Sequence, residues 1–112
     1  MFEEPERIKL KFVRELMDDI DRILQRHGGL APALEDFEGR QAILMCLLMT
    51  GETLNKIESS KLRRILPVDL TYTMRNIISY DYMGVNNRAI AGAVEHDIPA
   101  LKRDIQTLLD SN

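Results

Sequence analysis

A chain of 112 residues is one domain by length, and 45% apolar with 29% charged residues is the balance of a folded globular protein, too apolar for a disordered chain. Fifteen Lys and Arg against 18 Asp and Glu leave a formal charge of −3, which excludes a general nucleic-acid coat and confines any nucleic-acid contact to a local basic patch. The single Cys46 excludes an internal disulfide framework and a multi-cysteine zinc site, and its apolar surroundings fit a reducing compartment.

The first residues, Met1-Phe2-Glu3-Glu4-Pro5, are acidic where a secretory signal would be basic. The longest apolar run, Ala42 to Met49, is too short to cross a bilayer. These features predict a small cytoplasmic domain over residues 1–112, with no membrane contact. Helical periodicity then dominates. Ile8, Phe12, Leu16, Ile20, Ile23 and His27 recur at spacings of three and four, with Val13, Met17 and Leu24 beside them, and make a wide apolar stripe on a first helix. Pro5 suits its first turn. Gly28-Gly29 ends it, with Arg26 and His27 placed in the last turn as the helix dipole prefers.

A linker from Leu30 to Glu35 leads into a second long helix, about Phe37 to Glu58. Its middle is apolar nearly all round, which puts it at the centre of the fold. Gly51 within it points to close approach of another backbone, since Gly otherwise costs a helix about 1 kcal/mol relative to Ala. Ser59-Ser60 ends this helix or starts a weak turn. Pro67 opens a third helix that buries Leu70, Met74, Ile77 and Ile78 and ends at Gly84. Asn86-Asn87 caps a fourth through Val94. Asp97 caps a fifth, with Pro99 in its first turn and Leu101, Ile105, Leu108 and Leu109 as its stripe. No stretch alternates with period two long enough for a strand. The prediction is an all-α antiparallel bundle of about five helices.

No phosphate-binding glycine loop, metal-ligand spacing or nucleophile elbow is present, so no cofactor and no metal is expected. His27 and His96 each fall near a predicted helix C-terminus and read as dipole-facing or surface residues. In Glu95-His96-Asp97, neighbouring residues point in different directions, which argues against a metal cluster. The third helix is different. It carries all three Tyr of the chain, together with Arg75, Asn76, Ser79 and Asp81. At about 100° per residue, Arg75, Ser79 and Tyr82 share a ~60° sector, and Asn76 and Tyr80 share the next. A solvated face is more typically Lys and Glu. Arg, amide and phenol groups suit either a hydrogen-bonded helix–helix seam or a phosphate-recognising site.

The run Arg75-Asn76-Ile77-Ile78-Ser79-Tyr80-Asp81-Tyr82 resembles the signature of the HepT-like toxins, a branch of the HEPN superfamily of small helical ribonucleases. That signature is Arg-Asn, three residues, His, one residue, Tyr. Flanking pieces agree: Ala42 through Gly51-Glu52-Thr53 resembles the family's apolar helix ending in Gly-Glu. Met83-Gly84-Val85-Asn86 resembles the turn after the signature, and Asp97-Ile98-Pro99-Ala100-Leu101 resembles the start of the last helix. The likeness runs from about Arg7 to Leu109.

The resemblance implies metal-independent RNA cleavage, in which Arg75 steadies the scissile phosphate, Asn76 orients a neighbour and a His moves the proton of the ribose 2′-hydroxyl. Here Tyr80 stands at the position of that His. An ordinary His titrates near ~6.5 and a Tyr near ~10, so about one phenol in a thousand is ionised at pH 7 and Tyr80 is a poor general base. The sequence keeps the binding half of the site and loses its base, unless His96 supplies one from the next helix pair or from a dimer partner. The family's antitoxin is a minimal nucleotidyltransferase that modifies, by AMPylation, the Tyr two residues after the His, here Tyr82; packing at the bundle end is the other reading of that residue.

The resemblance and the polar face together predict a homodimer with the Arg75 helices facing a shared cleft. An exposed set of Met45, Met49, Met74 and Met83 is expected to help form it. Two functions follow. One is a toxin-family component with weak or lost ribonuclease activity, paired with a nucleotidyltransferase antitoxin. The other is a non-catalytic helical binding module for such a partner.

Overall fold

The computed structural model describes residues 2–67, 69–81 and 87–111, without the side chains of Thr71, Ile78, Tyr80 and Asp81. The first helix, α1, is Glu4–His27, with Pro5 in its first turn beside Glu4 and Glu6. Its end is fixed by two glycines in the left-handed region. Gly28 has φ 83° and donates to the Gln25 carbonyl at 3.3 Å; Gly29 has φ 137° and donates to the Leu24 carbonyl at 2.8 Å. The chain reverses there into a short α2, Leu30–Glu35, and then α3, Phe37–Asn55. Asp36 caps α3 by accepting from the Gly39 N–H at 2.8 Å.

α3 is the central element and packs against α1, α2 and α5, the last being Leu70–Asp81. Between them, Ser59 caps the short α4, Ser60–Ile65, by accepting from Leu62 N–H at 3.3 Å. The chain closes with α6, Asn87–Gly92, a π turn over Ala93–Asp97, and α7, Ile98–Asp110, which lies along α1. Lys9 donates to the Lys56 carbonyl at 2.8 Å, and His27 meets Asp36, so α1 and α3 run antiparallel. Lys102 bridges Asp18 and Asp21 at 2.9 Å each, and Arg14 meets Gln106, so α1 and α7 do too.

No strand occurs among the described residues, and the all-α bundle is as expected. The five expected helices are present, joined by two short ones where the sequence suggested a linker and a weak turn. Several boundaries move. α3 stops at Asn55 rather than Glu58, and a turn beginning at Pro67 precedes α5, with Leu70 N–H donating to the Pro67 carbonyl at 2.9 Å. Asp97 is not a cap. Its φ of −70° and ψ of −44° are helical, and the helical backbone runs through it, the π turn absorbing the extra residue. Asn86 lies outside the described residues, so the capping expected of Asn86-Asn87 does too. Asn87 is the first residue of α6, and its Oδ1 accepts from Arg40 Nε at 2.7 Å.

The core unites Leu10, Val13, Met17 and Ile20 of α1 with Ile43, Leu47 and Leu54 of α3, Met74 and Ile77 of α5, and Leu101, Ile105 and Leu108 of α7. The buried face of α1 is offset from the expected stripe. α1 is clamped between α3 and α7, so Glu6, Leu10, Val13 and Met17 turn inward, leaving Ile8 at 59% and Phe12 at 38% exposure. Burying Glu6 requires partners. Lys9 Nζ donates to it at 3.0 Å, and the N–H groups of Glu58 and Ser59 donate at 3.2 and 3.4 Å. Burial pushes its pKa up, but these donors outweigh that and hold it below the ordinary value. Glu6 thus ties the start of α1 to the chain after α3. Cys46 is buried, and burial raises its thiol pKa. Among the described residues no helix is long and apolar enough to cross a membrane.

Candidate functional site

α5 and the C-terminal third of α3 form the site. α5 packs on α3 through Leu70, Met74 and Ile77, all buried, which turns residues 72, 75 and 79 outward at helical spacing. Tyr72 is 72% exposed, Ser79 is exposed and Asn76 is half-buried. Arg75 reaches across to α3. Its Nε donates to Glu52 Oε1 at 2.7 Å and its Nη2 to Glu52 Oε2 at 3.0 Å. This is a two-point, side-on ion pair, the geometry in which a guanidinium matches a carboxylate best. The hydrogen bonds from Glu52 raise the Arg75 pKa further above its ordinary value.

The two partners differ in freedom. The Glu52 side chain is 29% exposed and that of Arg75 is 59% exposed, so the carboxylate is the anchored group and the guanidinium the presented one. Glu52 occupies the edge made by Nε and Nη2. The two Nη1 hydrogens and the outer Nη2 hydrogen are left for another acceptor. Two oxygens of a phosphate group fit that edge.

Of the residues the sequence singled out, Arg75 lies on the outward side of α5 and Asn76 is half-buried beside it. Tyr80 lies in the last turn of α5, and Tyr82 and Met83 lie outside the described residues. Met45 and Met49 are exposed at 57% and 37%, on the side of α3 that carries Glu52. Met74 is not exposed: it is 1% accessible and packed in the core, because residues 70, 74 and 77 are the α5 positions that meet α3. In the sequence Glu52 stands out only as part of a Gly-Glu pair, which does not by itself place it in the site. Its signal was available, since it is the first carboxylate after Glu38 and follows the uncharged run 41–51.

The histidines stand elsewhere. His96 is exposed on the π turn, which packs on α6 and α7, and it makes no hydrogen bond to Arg75, Asn76 or Glu52 among the described residues. His27 is a joint. Its Nδ1 donates to the Ile23 carbonyl at 2.9 Å and its Nε2 meets Asp36 Oδ2 at 3.1 Å. The Ile23 bond first, then Asp36, raise its pKa above the ordinary value. A concavity of about 360 Å³ adjoins it, lined by Ile23, Arg26, His27, Asp36 and Gly39 among others. It lies at the opposite end of α3 from Glu52, about 20 Å away at 1.5 Å per residue. No group of three or more His, Cys, Asp or Glu among the described residues is arranged to hold a metal.

A protein-family model described as Ribonuclease HepT-like matches residues 13–108. No curated protein and no solved structure matches the chain.

Proposed function

The chain belongs to the HepT-like ribonuclease family, and we propose that it is the toxin component of a toxin–antitoxin pair. Its metal-independent cleavage of RNA is weak, because Tyr80 occupies the position of the motif His. The observation that carries this reading is Arg75, an outward guanidinium anchored by Glu52 with one donor edge left for a phosphate. A phenol with an ordinary pKa of ~10 supplies almost no base at pH 7, so phosphate binding outlasts fast proton transfer.

The working unit is a cytoplasmic homodimer in which two Arg75 helices flank one cleft. The exposed Met45 and Met49, on the side of α3 that carries Glu52, and the exposed Tyr72 on α5 support such a contact. Flexible, polarisable Met side chains suit protein interfaces. The partner is a minimal nucleotidyltransferase, for which the Tyr82 phenol is the acceptor.

Overexpression tests the reading. Growth arrest accompanied by RNA cleavage that survives a metal chelator supports a nuclease. A protein that neither arrests growth nor cuts RNA, yet binds the nucleotidyltransferase, is the non-catalytic module instead.

A further inference from the structure

We infer that Glu52 is the general base of this site. The inference rests on the reading of Arg75 as the phosphate ligand. A base for RNA cleavage must stand beside the group that holds the phosphate, because the attacking 2′-hydroxyl is a near neighbour of that phosphorus. Among the described residues Glu52 is the one titratable group hydrogen-bonded to Arg75, with both its oxygens within 3.0 Å of the guanidinium. The carboxylate is partly open to solvent and half-anchored on α3, so it is accessible and held. A phosphate on the outer Nη edge would have the Glu52 carboxylate on the adjoining edge of the same guanidinium, within reach of a ribose on that side. His96 is engaged with nothing at this site.

The step balances without a metal or co-reactant. The Glu52 carboxylate takes the 2′-hydroxyl proton. The 2′-oxygen forms a bond to phosphorus, and the bond from phosphorus to the 5′-oxygen breaks. That electron pair stays on the 5′-oxygen, which takes a proton from water, and protonated Glu52 returns its proton to the hydroxide so formed. The products are a 2′,3′-cyclic phosphate end and a 5′-hydroxyl end. Two hydrogen bonds from Arg75 hold the carboxylate in place beside the guanidinium.

The test uses Glu52→Gln, nearly isosteric, and Glu52→Asp, which keeps the charge on a shorter arm, with circular dichroism confirming the helical fold. Cleavage of a short single-stranded RNA is measured with chelator present. Binding is measured separately on the 2′-deoxy oligonucleotide, which cannot be cut. Glu52→Gln, whose amide oxygen still accepts one hydrogen bond from Arg75, should fall to the rate of Arg75→Ala while binding the deoxy strand more tightly than Arg75→Ala does, and Glu52→Asp should recover part of the rate. The wild-type rate should show no bend near the imidazole value of ~6.5. A Glu52→Gln rate at or above wild type would overturn the proposal, leaving Glu52 as a shield on Arg75. Loss of binding together with rate would overturn it in favour of a positioning role. A wild type that binds RNA but never cuts it overturns the base alone. A wild type that does not bind RNA overturns the Arg75 reading as well.

Discussion

Arg75 on α5 is joined to Glu52 on α3 by two hydrogen bonds of 2.7 and 3.0 Å, from Nε and Nη2 to the two carboxylate oxygens. The pair fixes the direction of a long, otherwise mobile side chain, so the entropy of ordering Arg75 is spent before a ligand arrives. It also links the two helices that the core already packs together through Met74, Ile77 and Leu47. Because the pair is exposed, its worth lies in orientation rather than in stability.

The Met45 and Met49 face predicts assembly. Light scattering at micromolar concentration should give a mass near twice 12.9 kDa. The double variant Met45→Glu, Met49→Glu places two carboxylates beside Glu52 and should shift the mass to that of one chain, with the helical spectrum unchanged. A wild-type mass of 12.9 kDa contradicts the dimer.

Thr50 predicts a gain in stability. It is fully buried on α3, and its Oγ1 has no hydrogen-bond partner among the described residues. A buried unpaired hydroxyl costs about 1–3 kcal/mol, and Val fills nearly the same volume. Thr50→Val should therefore stabilise the fold by about 1 kcal/mol in urea denaturation. A loss of stability of that size would show that the hydroxyl is satisfied.

Much of the fold was legible because its signals are local. The Gly28-Gly29 stop, Pro5 in the first turn of α1 and the Leu101-Ile105-Leu108-Leu109 stripe each act within a few residues, and each is realised. What escaped depends on partners distant in sequence. Which side of α1 is buried is set jointly by α3 and α7, so Ile8 and Phe12, apolar and correctly spaced, stay outside. Met74 carries two readings, buried on the α5 stripe and exposed in a methionine set, and the stripe is the one realised, because which way α5 rolls onto α3 is set by the packing of both helices. Arg75 was legible as a motif residue, but Glu52, 23 positions earlier, becomes its partner only through helix packing.

The His27–Asp36 joint predicts a pH dependence. His27 has a raised pKa, so its contribution is complete below the unfolded value of ~6.5 and is lost as pH rises through the raised one. Asp36, lowered by the Gly39 N–H first and then by His27, contributes above ~3.9 and is lost as pH falls. The joint is therefore strongest between those limits. Thermal melts should show the wild type more stable than His27→Asn near pH 6, with the gap narrowing by pH 8. Gly39→Ala should disturb the same joint at every pH, since its Cβ would stand 2.8 Å from the Ala33 carbonyl and 3.0 Å from the His27 ring, at a cost of about 1–3 kcal/mol. A gap that widens toward pH 8 would contradict the assignment.

We propose that the site keeps its phosphate-binding Arg75 and is slowed by Tyr80 at the position of the motif histidine. The direct measurement is RNA cleavage, with chelator present, by wild type, Tyr80→His, and Tyr80→His combined with Arg75→Ala. An imidazole is a neutral base near pH 7, and general acid–base help is worth about 10²–10⁴-fold in rate. The account predicts slow cleavage by the wild type, a rise of about that size in Tyr80→His, and its loss when Arg75 is also removed. Fast cleavage by the unmodified chain, abolished by His96→Ala, or a Tyr80→His variant no faster than wild type, would contradict it.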